Sequence, residues 1–140
     1  MISGMNDKRE VMDIHQRWID LEVSGQGAEV LDLCARDVTW LVPGMGMLKG
    51  IDKVREFINN QPEVRINHID TSDIEVELSG SLAVKKANFC TSLTVGSSDS
   101  NIKGSHIWTL RKDHHSNRWQ VSSVAWVIEN NPSQSAEGNS

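Results

Sequence analysis

From Ile66 to Glu129 the chain reads as strand after strand. Strands joined only by short polar turns pair as antiparallel hairpins. The last hairpin is the most informative. Lys103–Asp113 reads as a strand, Asp113–Arg118 as a polar turn and Trp119–Glu129 as a second strand. Alternation puts His106 and Trp108 on one face and Ile107 and Thr109 on the other. A titratable imidazole beside a large aromatic suits the floor of a pocket. Upstream, Ile66–Leu78 alternates near its end, with Ile74, Val76 and Leu78 inward and Asp73, Glu75 and Glu77 outward. Ser79-Gly80 turns the chain. Leu82–Val95 carries Ala83, Ala87, Phe89, Thr91 and Leu93 on one face, and Lys86, Asn88, Cys90 and Ser92 on the other. Gly96–Asn101 is a serine-rich turn.

The first half has a helical period. Val11, Ile14, Trp18 and Leu21 form one apolar stripe within a helix over Asp7–Ser24, stopped by Ser24-Gly25-Gln26-Gly27. Ala28–Ala35 predicts a short second helix, and Val38–Val42 a short strand with Val38, Trp40 and Val42 on one face. Pro43–Met47 is a breaker-rich loop. Ile51–Asn60 predicts a third helix that buries Val54, Phe57 and Ile58. Helices first and an antiparallel meander after make the class α+β, with three helices packed on one curved, mainly antiparallel sheet.

At 140 residues the chain makes one domain over 1–140, with an ordered core of about 7–129. The stretch Asn130–Ser140 has little to bury and predicts a disordered tail. No apolar run approaches a membrane span, and the N-terminus lacks the pattern of a signal peptide, so the cytoplasm is the expected compartment. The net charge of −5 is scattered, which speaks against nucleic-acid and membrane partners. The one basic cluster, from Arg111 to Arg118, falls on a turn. Cys34 and Cys90 read as reduced packing residues. No metal-ligand spacing, phosphate loop, nucleophile elbow or carboxylate pair is present in the sequence, so neither a metal nor a cofactor is expected.

Three passages resemble the nuclear transport factor 2-like superfamily, and in particular its ketosteroid isomerase and SnoaL-like group. They are Gln16–Gly25 with Val30–Trp40, then Pro43 with Lys49–Ile58, and finally Gly104–Lys112 with Asn117–Val121. The resemblance implies a sheet wrapped round a long helix to enclose a conical pocket, and dimers through the outer sheet face. It also implies functional positions. The isomerase's aspartate base falls at Val42, its tyrosine donor at Trp18 and its protonated aspartic acid at His106. Val42 takes no proton, and Trp18 offers only an N–H. Steroid-type isomerisation by that mechanism is thereby excluded.

Periodicity and resemblance together predict one cavity lined by Trp18, Trp40, Val42, Phe57, Ile58, Phe89, His106 and Trp108. Its mouth is expected near Pro43–Leu48. His106 is the candidate acid–base group. His15 and His68 read as surface histidines, and His114 and His115 as turn residues. Trp126 and Val124 lie opposite Ser123, Ala125 and Val127. With the small residues toward the pocket, Val124 and Trp126 would form the outer face of a homodimer. Since the sequence secures no second titratable group in the pocket, the first expectation is a protein that binds a small, mostly apolar ligand. A lyase, isomerase or cyclase using His106 is the alternative, and a dimeric interaction module the third.

Overall fold

The computed structural model describes residues 2–129, with side chains from residue 5 onward. The expected tail, residues 130–140, lies outside the described residues. The order is α1 (Ile2–Val23), a 3₁₀ helix (Gly27–Leu33), β1 (Cys34–Val42), β2 (Gly46–Lys49), α2 (Ile51–Asn59), β3 (Arg65–Ser79), β4 (Leu82–Val95), β5 (Ser98–Lys112) and β6 (Trp119–Ile128). All six strands form one sheet in the order β2-β1-β6-β5-β4-β3. Every neighbouring pair is antiparallel except β1 and β6. The architecture is the expected α+β one. No helix among the described residues is long and apolar enough to cross a membrane.

The apolar stripe of α1 is real. Val11, Ile14 and Trp18 are buried in one core with Val30, Leu31 and Leu33 of the 3₁₀ helix, Val54 of α2, and Trp108, Leu110, Val121 and Val124 of the sheet. The second helix is 3₁₀ rather than α and ends two residues early, because β1 already begins at Cys34. In a 3₁₀ turn residues i and i+3 eclipse, so Val30 and Leu33 sit one above the other on the buried side.

Two stretches read as loops are hairpins. Val42 pairs with Gly46, and Gly44 and Gly46 take φ of +80° and +91° in the turn between β1 and β2. Four residues of exposed edge strand leave no buried alternation to detect. Val95 pairs with Ser98 across the two-residue turn Gly96-Ser97. Here the pairing is held by polar side chains, Ser92 to Asn101 at 2.9 Å and Thr94 to Asp99 at 2.7 Å.

Two of the register shifts change the expected facing. In β3 the register shifts between Ser72 and Glu75, where Asp73 has φ +52°. Val76 and Leu78 still pack against the core, but Ile74 is turned out and is 37% exposed. In β6, Thr109 opposes Ser123 while Leu110 opposes Val121, so Ser122 is an extra residue. Its hydroxyl and that of Ser123 both meet Thr109 Oγ1, at 2.7 and 2.5 Å. Beyond this bulge the even-numbered residues face inward. Val124 and Trp126 are therefore inside the molecule, and the expectation that they form an outer face is corrected. Ala125 and Val127 are on the outer side, with Val127 64% exposed.

Candidate functional site

Register builds the site. Across β4 and β5 the inward pairs are Lys85 with Trp108, Ala87 with His106 and Phe89 with Gly104. Across β5 and β6, Trp108 opposes Val124 and His106 opposes Trp126. Two of the large rings face a small neighbour across β4 and β5, His106 opposite Ala87 and Phe89 opposite Gly104. Gly104 is the tightest case. A Cβ there would stand 2.2 Å from the Val127 carbonyl oxygen and 2.6 Å from the Phe89 ring. Gly104→Ala is expected to cost about 1–3 kcal/mol as overpacking, with loss of the Phe89 ring position, read by urea denaturation and by the Phe89 ring resonances.

These rows, with α1 and α2, enclose a cavity of about 540 Å³. That is the size of a small-molecule site. Trp18, Trp40, Phe57, Ile58, Phe89, His106 and Trp108 all line it. Val42 does not. It is 7% exposed and packed in the core on the same face of β1 as Trp40, but it is not part of the cavity lining. No residue of Pro43–Leu48 lines the cavity either. That stretch forms the β1–β2 hairpin at the sheet edge. The exposed part of the lining is Gln61, Pro62 and Val64 after α2, with Ile128 at the end of β6.

The aromatic rings form a continuous wall. His106 stacks on Trp108 at 5.1 Å and 15°, and on Phe89 at 6.0 Å and 18°. Trp18 packs 4.6 Å from Trp108 and 5.8 Å from Trp40, and Trp126 meets Trp40 edge-on at 5.8 Å. His106 Nε2 is buried with no hydrogen-bond partner among the described residues, and so is Trp40 Nε1.

His15 is not a surface residue. It is 3% exposed and lines the cavity, its ring 6.3 Å from His106. One turn of helix separates it from both Val11 and Trp18, so it shares their buried stripe. Its Nε2 lies 3.3 Å from Thr71 Oγ1, and its Nδ1 meets Lys85 Nζ. Lys85 is wholly buried, with Nζ 3.5 Å above the centre of the Trp108 ring. Lys85 stands behind His15 and Trp108 and does not itself line the cavity. Sequence reasoning missed it, although Ala83 and Ala87 mark its face of β4. The remaining histidines, His68, His114 and His115, are exposed.

Burial governs the electrostatics. Desolvation, with the nearby Lys85, lowers His15 to about 4. Desolvation, then Lys85 and His15, lowers His106 to about 3. Desolvation lowers Lys85 to about 7. Glu22, one α1 turn beyond Trp18 on the cavity wall, is raised by burial to about 7, with the Trp18 indole opposing. Both histidines are thus neutral near pH 7. The cavity offers two neutral imidazoles, a carboxyl able to hold its proton and no lining lysine or arginine. The cysteines are free, with Cys34 buried. Among the described residues no three His, Cys, Asp or Glu side chains gather as a metal site.

No protein-family model matches the chain, and no curated protein matches it by sequence. Solved structures match it closely in fold. An NTF2-like protein with a cystatin-like fold from Novosphingobium aromaticivorans superposes with a TM-score of 0.75 at 16% identity, over 96% of this chain and 90% of that one. A protein from the same organism, provisionally described as a scytalone dehydratase, gives 0.76 at 14% identity, over 93% and 89%. The hexachlorocyclohexane dehydrochlorinase LinA-type3 of Novosphingobium barchaimii gives 0.75 at 13% identity, over 92% and 90%. With its long first helix, two shorter ones and an open six-stranded sheet closed over an aromatic cavity, this chain has the NTF2-like, cystatin-like fold.

Proposed function

We propose that the chain is a small-molecule enzyme of the lyase type that performs acid–base elimination on an uncharged, mostly apolar, ring-sized compound. The observation that carries this reading is the pair of neutral imidazoles facing one cavity, His15 and His106, with ring centres 6.3 Å apart. A second titratable group is what separates an enzyme from a simple binding pocket, and His15 supplies it. The absence of lining lysine and arginine supports an uncharged ligand. The dehydratase and dehydrochlorinase among the similar structures are named for eliminations, which supports the reaction class by analogy of fold.

In such a step one imidazole takes a proton from carbon, and the C–H electron pair becomes the new double bond. The leaving group departs with its own pair and is met by the other imidazole. A second reading, binding without turnover, rests on the lack, among the described residues, of a carboxylate hydrogen-bonded to either ring.

One experiment separates the two. Tryptophan fluorescence is titrated with a panel of neutral aromatic and alicyclic alcohols, ketones and halides, and each binder is then assayed for elimination. An enzyme loses turnover at least a hundredfold in His106→Ala, with folding retained. A binding protein shows no turnover and a shift in affinity of about 0.5–1.5 kcal/mol, the worth of one hydrogen bond. A panel that leaves the fluorescence unmoved overturns the pocket reading itself.

A further inference from the structure

Lys85 is 0% exposed, and its one hydrogen-bond partner among the described residues is His15. The face of Trp108 beneath it favours the ammonium form. An ammonium has three donors and no acceptor, so His15 Nδ1 must accept from it. The ring's own proton is then on Nε2. That atom faces Thr71 Oγ1 at 3.3 Å, a long contact that a better acceptor in the cavity would displace. The groups that meet His15 are Thr71 from β3, Lys85 from β4, and His106 and Trp108 from β5, while Glu22 lies two turns further along α1 on the same cavity wall.

Resting on the elimination reading above, we propose that Lys85 is the positioning residue that polarises the site, holding His15 as a hydrogen-bond donor and replacing the proton it gives away. His106, whose Nε2 is unpartnered, is then the base. The relay also selects the leaving group. A halide leaves as an anion and needs no proton, whereas hydroxide is a poor leaving group and departs as water only if protonated. A buried lysine feeding a histidine is therefore suited to a cyclic alcohol losing water.

The step balances. The C–H proton goes to His106 Nε2, and its electron pair forms the C=C bond. The C–O pair leaves with the oxygen. The His15 Nε2 proton goes to that oxygen, while a Lys85 proton moves to His15 Nδ1. His15 stays neutral and exchanges tautomers. Lys85 ends as an amine and His106 as an imidazolium; the His106 proton returns through solvent to His15 Nε2 as the His15 Nδ1 proton passes back to Lys85, which resets all three.

The test needs no substrate. Long-range ¹H–¹⁵N spectra of the full chain, labelled at histidine nitrogens, report which ring nitrogen of His15 carries the proton. The expected result near neutral pH is a proton on Nε2 and a bare Nδ1. In Lys85→Met, which keeps length and loses the donors, a share of the Nδ1-protonated tautomer is expected to appear, and the His15 titration is expected to rise from about 4. A proton on Nδ1 in the unsubstituted protein overturns the proposal, and that measurement stands even if the variant does not fold. A Lys85→Met spectrum identical to the original at His15 overturns it as well. A silent ligand panel would sink the elimination reading and leave this tautomer result untouched, so the two failures are distinguishable.

Discussion

Acidification from pH 6.5 is expected to destabilise this protein by about 1.4 kcal/mol per pH unit, a slope that persists with little change to about pH 4. Two opposing effects set the slope. His15 and His106 are held well below the ordinary histidine value, at about 4 and about 3. Below pH 6.5 the unfolded chain binds a proton on each, and the folded chain on neither. Stability therefore falls as pH falls. Glu22 works against them, because burial raises it to about 7. Between pH 7 and its ordinary value of 4.5 the folded chain binds the proton that the unfolded chain has lost. One net proton remains above pH 4.5, and little more below it, because the folded His15 begins to bind its proton as the unfolded Glu22 binds its own. Glu22→Gln should steepen the upper part of the curve to about 2.7 kcal/mol per unit, and His106→Leu should flatten it. Urea denaturation at half-unit steps measures all three. A flat profile in both the unsubstituted protein and Glu22→Gln would show that the histidines are not buried as described. On the alkaline side Lys85 adds its own signature. Its folded value is lowered to about 7, so its cost to stability is present below that and fades as pH rises toward 10.5.

Trp108→Ala is expected to cost about 3–5 kcal/mol. Trp108 is 3% exposed and is the shared neighbour of Trp18, His106, His15 and Lys85. Its removal joins a new void to the existing cavity and strips Lys85 of the aromatic face beneath its amine. Water then reaches the lysine, and its proton affinity rises toward the ordinary value. Trp108→Phe keeps a ring under Lys85 and is expected to lose much less. Equal losses in the two variants would mean that the ring face carries nothing and that only volume matters. Denaturant midpoints, with the slopes checked for constancy, give the comparison.

The two effects meet in the same few residues, which is why folding and the proposed chemistry are hard to separate here. A wall of stacked rings excludes water and so pays for the burial of three titratable groups. The same exclusion keeps both imidazoles neutral and lowers the proton affinity of Lys85.

Much of this arrangement is local enough to be read along the chain. Val11, Ile14 and Trp18 share a buried stripe because their spacing matches the helical repeat, and packing obeys it. His106 and Trp108 share a face because a strand allows nothing else. The order of helices and short-turned strands dictates the α+β class. What tertiary structure alone decided is where that local logic was interrupted or completed from afar. One extra residue at Ser122 reverses the facing of Val124 and Trp126, and a serine pair suits a bulge and a regular strand equally well, so nothing in the composition announces it. Val42 follows the alternation of β1 into the core, yet only the position of the cavity decides that it lines no part of it. A lysine on an inward row is tolerated only where something receives its amine. For Lys85 the receivers are Trp108 across the sheet and His15 on α1, 70 residues earlier. Desolvation and hydrogen bonding act through space, and that juxtaposition exists only in the folded chain.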